Sequence, residues 1–223
     1  MRHDGDMEAS VVVVRWSRIP VDDHTQNTTR ARREESNRLA VLTASALLGK
    51  KVTPSGLTRR CSACGSRTHG RPELVLTAPD GALGDRGAPP ALSVSIARGR
   101  DVAVAAVAHA SGTHAIGIDL ECVGEALSPG FATVLMADEE RAKHATSDQA
   151  LLRTWVRKES VVKAIGTGLA TDPREIVLDG LDLTSGPDGP WRLVDLDIDP
   201  DVLATLAIRG AKSARFDVDV ALS

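Results

Sequence analysis

A short segment with the character of a β-strand carries two carboxylates separated by one residue. It is Gly117-Ile118-Asp119-Leu120-Glu121. Because side chains alternate between the two faces of a strand, Asp119 and Glu121 are predicted to point to one side and the two apolar residues to the core. Carboxylates this close raise each other's pKa unless a cation lies between them, and oxygen pairs of this kind suit Mg²⁺. The pattern predicts a magnesium site or a solvated strand end, and alone it does not choose between them.

A second segment, Trp155 to Leu169, adds a third carboxylate and a cation. On an α-helix, residues four apart lie on one face, so Trp155, Glu159 and Lys163 are predicted to stand together. A carboxylate and an ammonium group beside an aromatic ring would suit a metal ion and a phosphate. The alternative is an exposed Glu159–Lys163 pair that stabilises the helix by ~0.2–0.5 kcal/mol.

The two segments occur in the order, and at roughly the separation, that one enzyme family uses. As G-x-D-x-E and W-x-x-K-E-S-x-x-K-A-x-G-x-G-L they closely resemble the signature pair of the Sfp-type 4′-phosphopantetheinyl transferases. The resemblance extends over residues 30–169. It implies an enzyme that moves the 4′-phosphopantetheine group of coenzyme A onto a serine of an apo carrier protein and releases 3′,5′-ADP.

The resemblance also implies a role for each matched residue. Asp119, Glu121 and Glu159 would hold Mg²⁺, while Lys163, with Lys158 near it, would bind the phosphates of coenzyme A. Glu159 and Lys163 are the expected catalytic residues. The carrier serine is a weak nucleophile whose proton must be removed, and both Glu159 and a metal-held water are open as the base.

A glycine- and cysteine-containing segment matches the same family more loosely. Cys61-x-x-Cys64-Gly65 followed by His69-Gly70-Arg71-Pro72 resembles a family segment in which Arg71 takes the place of a coenzyme-binding lysine. The two cysteines and His69 also offer three ligands of the types that zinc prefers. Structural zinc usually has four ligands, so a zinc site and a plain glycine-rich loop both stay open.

Two further regions are expected to bind the coenzyme. Arg32, Arg33 and Arg38 lie where the family places cations for the 3′-phosphate. Ser95 matches a family serine, but Ile96 replaces the histidine that follows it and helps to bind the phosphates. Because an isoleucine side chain cannot donate a hydrogen bond, we expect Arg98, or Arg100 nearby, to substitute.

The remaining sequence predicts the elements that position these residues. A turn at 111–113 predicts that its two flanking strands form a hairpin. The order of elements is typical of an α+β fold in two halves that are joined near residues 121–129. Periodicity and breaks predict strands at 11–16, 74–76, 102–107, 115–120, 191–196, 203–208 and 214–220, and helices at 30–48, 131–145 and 151–165.

The family resemblance implies more about the fold than this pattern does. It implies an α+β pseudo-dimer, in which two similar α/β halves of one chain bind coenzyme A in the cleft between them. We expect residues 1–121 to contact the coenzyme phosphates, and residues 122–223 to carry the W-x-x-K-E-S helix and to dock the carrier. Arg141, Lys143 and Arg153 are candidate carrier contacts. By analogy with the family, the protein is expected to be a monomer.

Composition argues against several other classes of function. The 223 residues include 27 Lys+Arg and 30 Asp+Glu, and only 2% are aromatic, which disfavours nucleic-acid binding. The longest apolar run, Val102 to Ala108, falls well short of the ~20 residues that cross a membrane. Acidic residues stand near the N-terminus where a signal peptide would be positive, so we expect a cytoplasmic protein with reduced cysteines.

Three activities are compatible with the same residues. The leading hypothesis is an active, Mg²⁺-dependent transferase that serves carrier proteins of polyketide, nonribosomal peptide or fatty-acid synthesis. The second is a catalytically impaired homologue that binds coenzyme A, and Ile96 favours it, whereas the intact carboxylates and Lys163 disfavour it. The third is a metal-dependent phosphohydrolase that transfers the phosphate to water.

Overall fold

The computed structural model describes residues 10–19, 25–49, 53–61, 64–77, 90–110, 115–124, 126–143, 147–210 and 216–223. The strands are β1 (Ser10–Arg18), β2 (Thr53–Arg60), β3 (Arg71–Thr77), β4 (Leu92–Arg98), β5 (Val102–His109), β6 (Ala115–Cys122), β7 (Val177–Asp179), β8 (Asp182–Ser185), β9 (Trp191–Leu196), β10 (Val202–Arg209) and β11 (Phe216–Leu222). The helices are α1 (Thr25–Leu48), α2 (Phe131–Leu135), α3 (Asp138–Lys143) and α4 (Asp148–Ile165). Short 3₁₀ turns follow α4 at Gly168–Ala170 and Pro173–Glu175. No helix in the described part of the chain is long and apolar enough to cross a membrane.

Two β-sheets form the framework. The first has the strand order β11-β1-β5-β4, and the second has the order β6-β10-β9. β5 lies antiparallel to both of its neighbours, with Val107 opposite Val13 of β1 and opposite Val94 of β4. β11 is the exception, since it pairs with β1 in the parallel direction. The pairs β2–β3 and β7–β8 form separate two-stranded sheets.

The two sheets meet along a seam made by side chains. Ser93 and Ser95 of β4 are buried, and their hydroxyl oxygens accept hydrogen bonds from the backbone N–H groups of Ile116 (3.3 Å) and Ile118 (2.9 Å) of β6. Buried backbone N–H groups need an acceptor, and here serine hydroxyl oxygens accept the hydrogen bonds that carbonyl oxygens accept within a sheet. The seam therefore places β6 directly beside β4.

Helix α4 lies against β6, and its ends follow standard capping chemistry. The Ser147 side chain accepts a hydrogen bond from the N–H of Ala150 at the start, and Gly166, with φ of 77°, ends the helix. A Cβ atom on Gly117 of β6 would come within 2.0 Å of the carbonyl oxygen of Ser160. Glycine at this position therefore allows the helix backbone to contact the strand.

The same order of elements occurs twice along the chain. A strand, a long helix, a two-stranded hairpin and two more strands occur as β1, α1, β2–β3, β4 and β5. They occur again as β6, α4, β7–β8, β9 and β10, with α2 and α3 inserted ahead of α4. The sheet orders β1-β5-β4 and β6-β10-β9 correspond under this matching.

Several predicted elements differ from the structure. The predicted hairpin is wrong, because β5 pairs with β1 and β4 while β6 pairs with β10; its turn at 111–113 lies outside the described residues. The predicted helix at 131–145 is broken into α2 and α3, since Met136 is extended and the backbone N–H of Ala137 is bound by the Glu140 side chain. No strand was predicted at Thr53–Arg60, where the structure has β2 paired with β3.

Candidate active site

Strand β6 and helix α4 bring the three predicted carboxylates together. Asp119 and Glu121 project from β6, and Glu159 lies on the face of α4 that packs near them. Burial raises the pKa of Glu159, and the nearby negative charges of Asp119 and Glu121 raise it further. Such mutual repulsion is the arrangement expected of a carboxylate cluster that binds a cation.

Lys163 connects this cluster to the first sheet. Its ammonium group donates a hydrogen bond to Asp119 Oδ1 at 2.6 Å and another to the backbone oxygen of Ile96 at 3.4 Å. The lysine side chain keeps 30% of its surface exposed, whereas that of Asp119 keeps only 9%. The ammonium group can therefore contact both Asp119 and a ligand.

The second carboxylate oxygen of Asp119 is the best-placed metal-binding atom of the cluster. Asp119 Oδ2 is buried and has no hydrogen-bond partner among the described residues. Burial raises the pKa of Asp119 even though the Lys163 ammonium opposes the rise. An oriented, dehydrated carboxylate oxygen beside two more carboxylates fits a hard divalent cation such as Mg²⁺. The donor set formed by Asp119, Glu121 and Glu159 therefore suits the predicted metal.

A cleft of about 410 Å³ begins at Lys163. The β2–β3 hairpin forms one wall, β4 forms the floor, and the C-terminal end of α4 forms the other wall. Its charged lining residues are Arg59, Arg71, Arg98 and Lys163. Since no acidic side chain lines it among the residues that the structure describes, this cleft favours an anionic ligand.

Arg59 and Arg98 line the cleft, and the positive charge of Arg33 acts on both of them. Removal from water lowers the pKa of Arg59, and the positive charges of Arg98 and Arg33 lower it further. The pKa of Arg98 is lowered in the same way by burial and by Arg33. Arg59 Nη2 is buried and has no hydrogen-bond partner among the described residues. Three neighbouring guanidinium groups and one unsatisfied N–H donor indicate a binding site for a phosphate.

The carboxylate cluster lies within a segment that resembles a known enzyme superfamily. Residues 115–206 match the family model of the 4′-phosphopantetheinyl transferase superfamily. The match runs from the first residue of β6 into β10, less than half of the chain, and it includes all three carboxylates and Lys163. No curated protein is significantly similar to the chain. This segment of the chain is therefore similar to the 4′-phosphopantetheinyl transferase superfamily.

Arg71, predicted from the cysteine-containing segment, is at the cleft, but outside the segment that matches the transferase superfamily. Its guanidinium group donates a hydrogen bond of 2.6 Å to the backbone oxygen of Ala164, near the end of α4. The contact ties the β2–β3 hairpin to α4, which lies within the matched segment. A free carbonyl in the last turn of a helix is a favourable acceptor for a cation.

Lys158, also within the matched segment, is buried and does not line the cleft. Its side chain is fully buried, and its ammonium group donates to Glu140 Oε2 (2.6 Å), to the backbone oxygen of Leu135 (2.9 Å) and to that of Pro173 (3.0 Å). With all three of its hydrogen bonds used inside the protein, Lys158 is not in contact with the cleft. It instead fastens α2, α3 and the second 3₁₀ turn to α4.

The other predicted coenzyme contacts are only partly at the cleft. Ser95 lines it, but its hydroxyl is committed to the seam with Ile118. Arg38 is on a different face of α1, where it pairs with Glu35 at 2.6 Å. Arg32 has a buried Nε without a hydrogen-bond partner among the described residues, yet its neighbour Arg33 is the helix arginine whose charge acts on the cleft.

Sequence reasoning missed Arg59 and misplaced Trp155. Arg59 ends β2 two residues before Cys61, and the only local signal was the Arg-Arg pair that precedes the cysteine segment. Trp155 is not a platform for the phosphate site, because its ring packs on Phe131, with centroids 5.8 Å apart, among buried residues of α2.

Proposed function

We propose that the protein is a Mg²⁺-dependent 4′-phosphopantetheinyl transferase of the Sfp type, which converts an apo carrier protein to its holo form. The observation that carries this proposal is that Lys163 joins a three-carboxylate cluster to a cleft lined by arginines. Coenzyme A carries a pyrophosphate and a separate 3′-phosphate. Its binding site therefore needs a metal-binding cluster for the pyrophosphate and, at a distance from that cluster, cationic side chains for the 3′-phosphate.

The chain's own residues divide this work. Asp119, Glu121 and Glu159 would hold the metal ion, which when bound neutralises charge that develops on the pyrophosphate during transfer. Lys163 would bind a phosphate oxygen while its bond to Asp119 keeps that carboxylate oriented. Glu159 is also the proposed acceptor for the proton of the carrier serine.

Arg59 and Arg98 are the proposed ligands of the 3′-phosphate. The phosphate would relieve the repulsion among these arginines and Arg33, and it would satisfy the buried Nη2 of Arg59. Ile96 contributes only its backbone, since its side chain packs in an apolar cluster with Leu39 of α1. Arg98 is therefore the proposed substitute for the hydrogen bond that a histidine at position 96 would make.

We further propose that the chain is a monomeric pseudo-dimer of two halves. The repeated order of elements supports two similar halves, each with one sheet and one long helix. Because β6 pairs with β10, we propose a boundary ahead of β6, whereas the sequence analysis expected it after residue 121. The cleft then draws on both halves, with β2, β3 and β4 from one and α4 from the other.

The carrier would approach beside the exposed basic residues of the second half. Of the three candidates, Arg141 pairs with Asp138, and Arg153 donates to Asp195 at 3.1 Å. Lys143, exposed at the end of α3, is the stronger candidate for an acidic carrier helix.

The test is intact-protein mass spectrometry of an apo carrier protein incubated with this protein, coenzyme A and Mg²⁺. We expect a gain of one phosphopantetheine group, with loss of the gain in Glu159→Gln but not in Glu139→Gln, an exposed carboxylate on α3. Modification at an undiminished rate in Glu159→Gln would contradict the proposed site. Release of phosphopantetheine to water without a carrier would indicate a phosphohydrolase instead.

A binding measurement tests the cleft separately. By calorimetry, Arg98→Ala is expected to raise the Kd for coenzyme A by roughly 10- to 100-fold, because a charge-assisted hydrogen bond contributes about 1.5–3 kcal/mol. Arg100→Ala is the matched control, since Arg100 does not line the cleft. Tight coenzyme binding without transfer to any of several carriers would favour the impaired, coenzyme-binding homologue.

A further inference from the structure

The tip of the β2–β3 hairpin brings together three metal-binding side chains that the transferase proposal does not use. Cys61 follows β2, Cys64 lies in the turn, and His69 stands two residues before Arg71 of β3. The two Sγ atoms and a ring nitrogen of His69 all lie within 4.8 Å of one another. Cys64 Sγ and His69 Nε2 are 3.3 Å apart.

The backbone holds this arrangement in place. The N–H of Gly65 donates to the Cys61 oxygen, and the Cys61 N–H donates to the Ser66 oxygen, both at 2.9 Å. Gly70 has φ of 101°, and a Cβ atom there would come within 2.4 Å of the Arg60 oxygen. Because a side chain at this position would separate the two strands, Gly70 permits the close approach that sets His69 beside the cysteines.

We propose that Cys61, Cys64 and His69 bind a zinc ion. Two thiolates and an imidazole are a donor set that zinc prefers, and in tetrahedral zinc sites the metal lies about 2.3 Å from sulfur and 2.0–2.1 Å from nitrogen. These bond lengths place sulfur and nitrogen ligands roughly 3.6 Å apart, close to the Cys64–His69 separation.

Within the described chain, no further His, Cys, Asp or Glu joins the group. Cys122 in particular is elsewhere, since its thiol donates to Asp101 at 3.6 Å. The site therefore supplies three ligands and leaves the fourth tetrahedral position to water or to an external ligand.

The position of this zinc site gives it a structural role at the cleft. Arg59 lies two residues before Cys61, and Arg71 lies two residues after His69. Arg59 Nη1 also donates a hydrogen bond to the Gly70 oxygen at 3.4 Å, which joins the end of β2 to the residue before β3. A zinc ion at the hairpin tip would fix the spacing of both arginines. The metal site does not depend on the proposed transfer reaction, whereas its effect on coenzyme binding does.

The test measures zinc in the purified full-length protein by elemental analysis after dialysis. We expect one zinc per chain in the wild type, and a loss of at least nine-tenths of it in Cys64→Ser and in His69→Asn. Cys122→Ser is the matched control and is expected to retain zinc. Cobalt substitution should give the thiolate charge-transfer and ligand-field bands of tetrahedral Co(II) in the wild type, and these bands should be absent from the two loop variants.

Two outcomes would overturn the proposal. One is a zinc content in Cys64→Ser equal to that of the wild type. The other is a wild type without zinc or cobalt affinity, including a protein whose mass shows a Cys61–Cys64 disulfide that forms in preference to metal binding. Circular dichroism of each variant identifies any that fail to fold. His69→Cys keeps three metal-binding side chains, so it should bind zinc where His69→Asn does not. Neither outcome would refute the proposed transferase, which is tested separately by modification of an apo carrier protein.

Discussion

The buried ion pair between Glu140 and Lys158 provides a quantitative test of how the site is supported. Both side chains are about 1% exposed. The Glu140 carboxylate accepts hydrogen bonds from Lys158 Nζ at 2.6 Å and from the backbone N–H groups of Ala137 and Leu178, each at 2.9 Å. One carboxylate thus binds α3, α4 and the start of the β7–β8 hairpin.

Glu140→Gln is the informative change because it keeps the shape and removes the charge. Whichever way the amide is turned, its NH₂ group faces an N–H donor, so a buried donor loses its partner at a cost of about 1–3 kcal/mol. Lys158 also becomes a buried charge without a counter-ion. Removing one member of a buried pair costs about 3–5 kcal/mol, which corresponds to a fall in Tm of roughly 6–20 °C for a chain of this size.

Thermal and urea unfolding, followed by circular dichroism, would measure this loss. Glu139→Gln, on the exposed side of the same helix, is the control and should change stability by less than ~0.5 kcal/mol. A Glu140→Leu, Lys158→Met double variant should recover only part of the loss, because the backbone groups of Ala137 and Leu178 still lack acceptors. A Glu140→Gln protein as stable as the control, or a fully stable double variant, would refute this reasoning.

Three further changes probe the surroundings of the site. Gly117→Ala should lower the free energy of unfolding by roughly 3 kcal/mol or more, because its Cβ would meet the α4 backbone. Gly56→Ala is the control, since Gly56 has open space around it, and equal urea midpoints for the two variants would contradict this. Ser95→Ala should lower the free energy of unfolding by about 1–3 kcal/mol because the Ile118 N–H loses its acceptor, with the exposed Ser55→Ala as control. In metal-free buffer, Asp119 and Glu159 have raised pKa values in the folded state, which therefore binds these two protons more tightly than the unfolded state does. The free energy of unfolding of the wild type should therefore fall as the pH rises from about 4 through the raised pKa values. Glu159→Gln should therefore be more stable than the wild type at pH 7 and approach it near pH 4, and a difference in Tm that does not change with pH would count against the shift.

Local geometry predicts each half of the carboxylate cluster, whereas the family resemblance alone implied that the two halves form one site. Alternation along a strand places Asp119 and Glu121 on one face, and helical spacing relates Glu159 to Lys163. Both predicted elements are present as β6 and α4. The strands at 191–196 and 203–208 were also confirmed, since each is a compact apolar run.

Features that depend on distant contacts could not be predicted in this way. Short apolar strands do not specify their partners, so the turn between β5 and β6 suggested a hairpin where the chain instead crosses to another sheet. Lys158 is next to Glu159 in sequence, but neighbouring residues on a helix point about 100° apart, and only the packing of α3 shows that Lys158 faces inward. Arg59 reaches the cleft only because β2 pairs with β3.

The parallel pairing of β1 with β11 has a consequence for how the protein is made. Arg15 of β1 and Asp219 of β11 form an ion pair across 204 positions of sequence. While the ribosome is still translating the intervening chain, one edge of the valine-rich β1 has no strand to cover it, and an uncovered edge is a template for pairing with other chains. Interrupted translation, or proteolytic loss of β11 after synthesis, should therefore yield a protein that retains the carboxylate site on β6 and α4 but is prone to aggregation through β1.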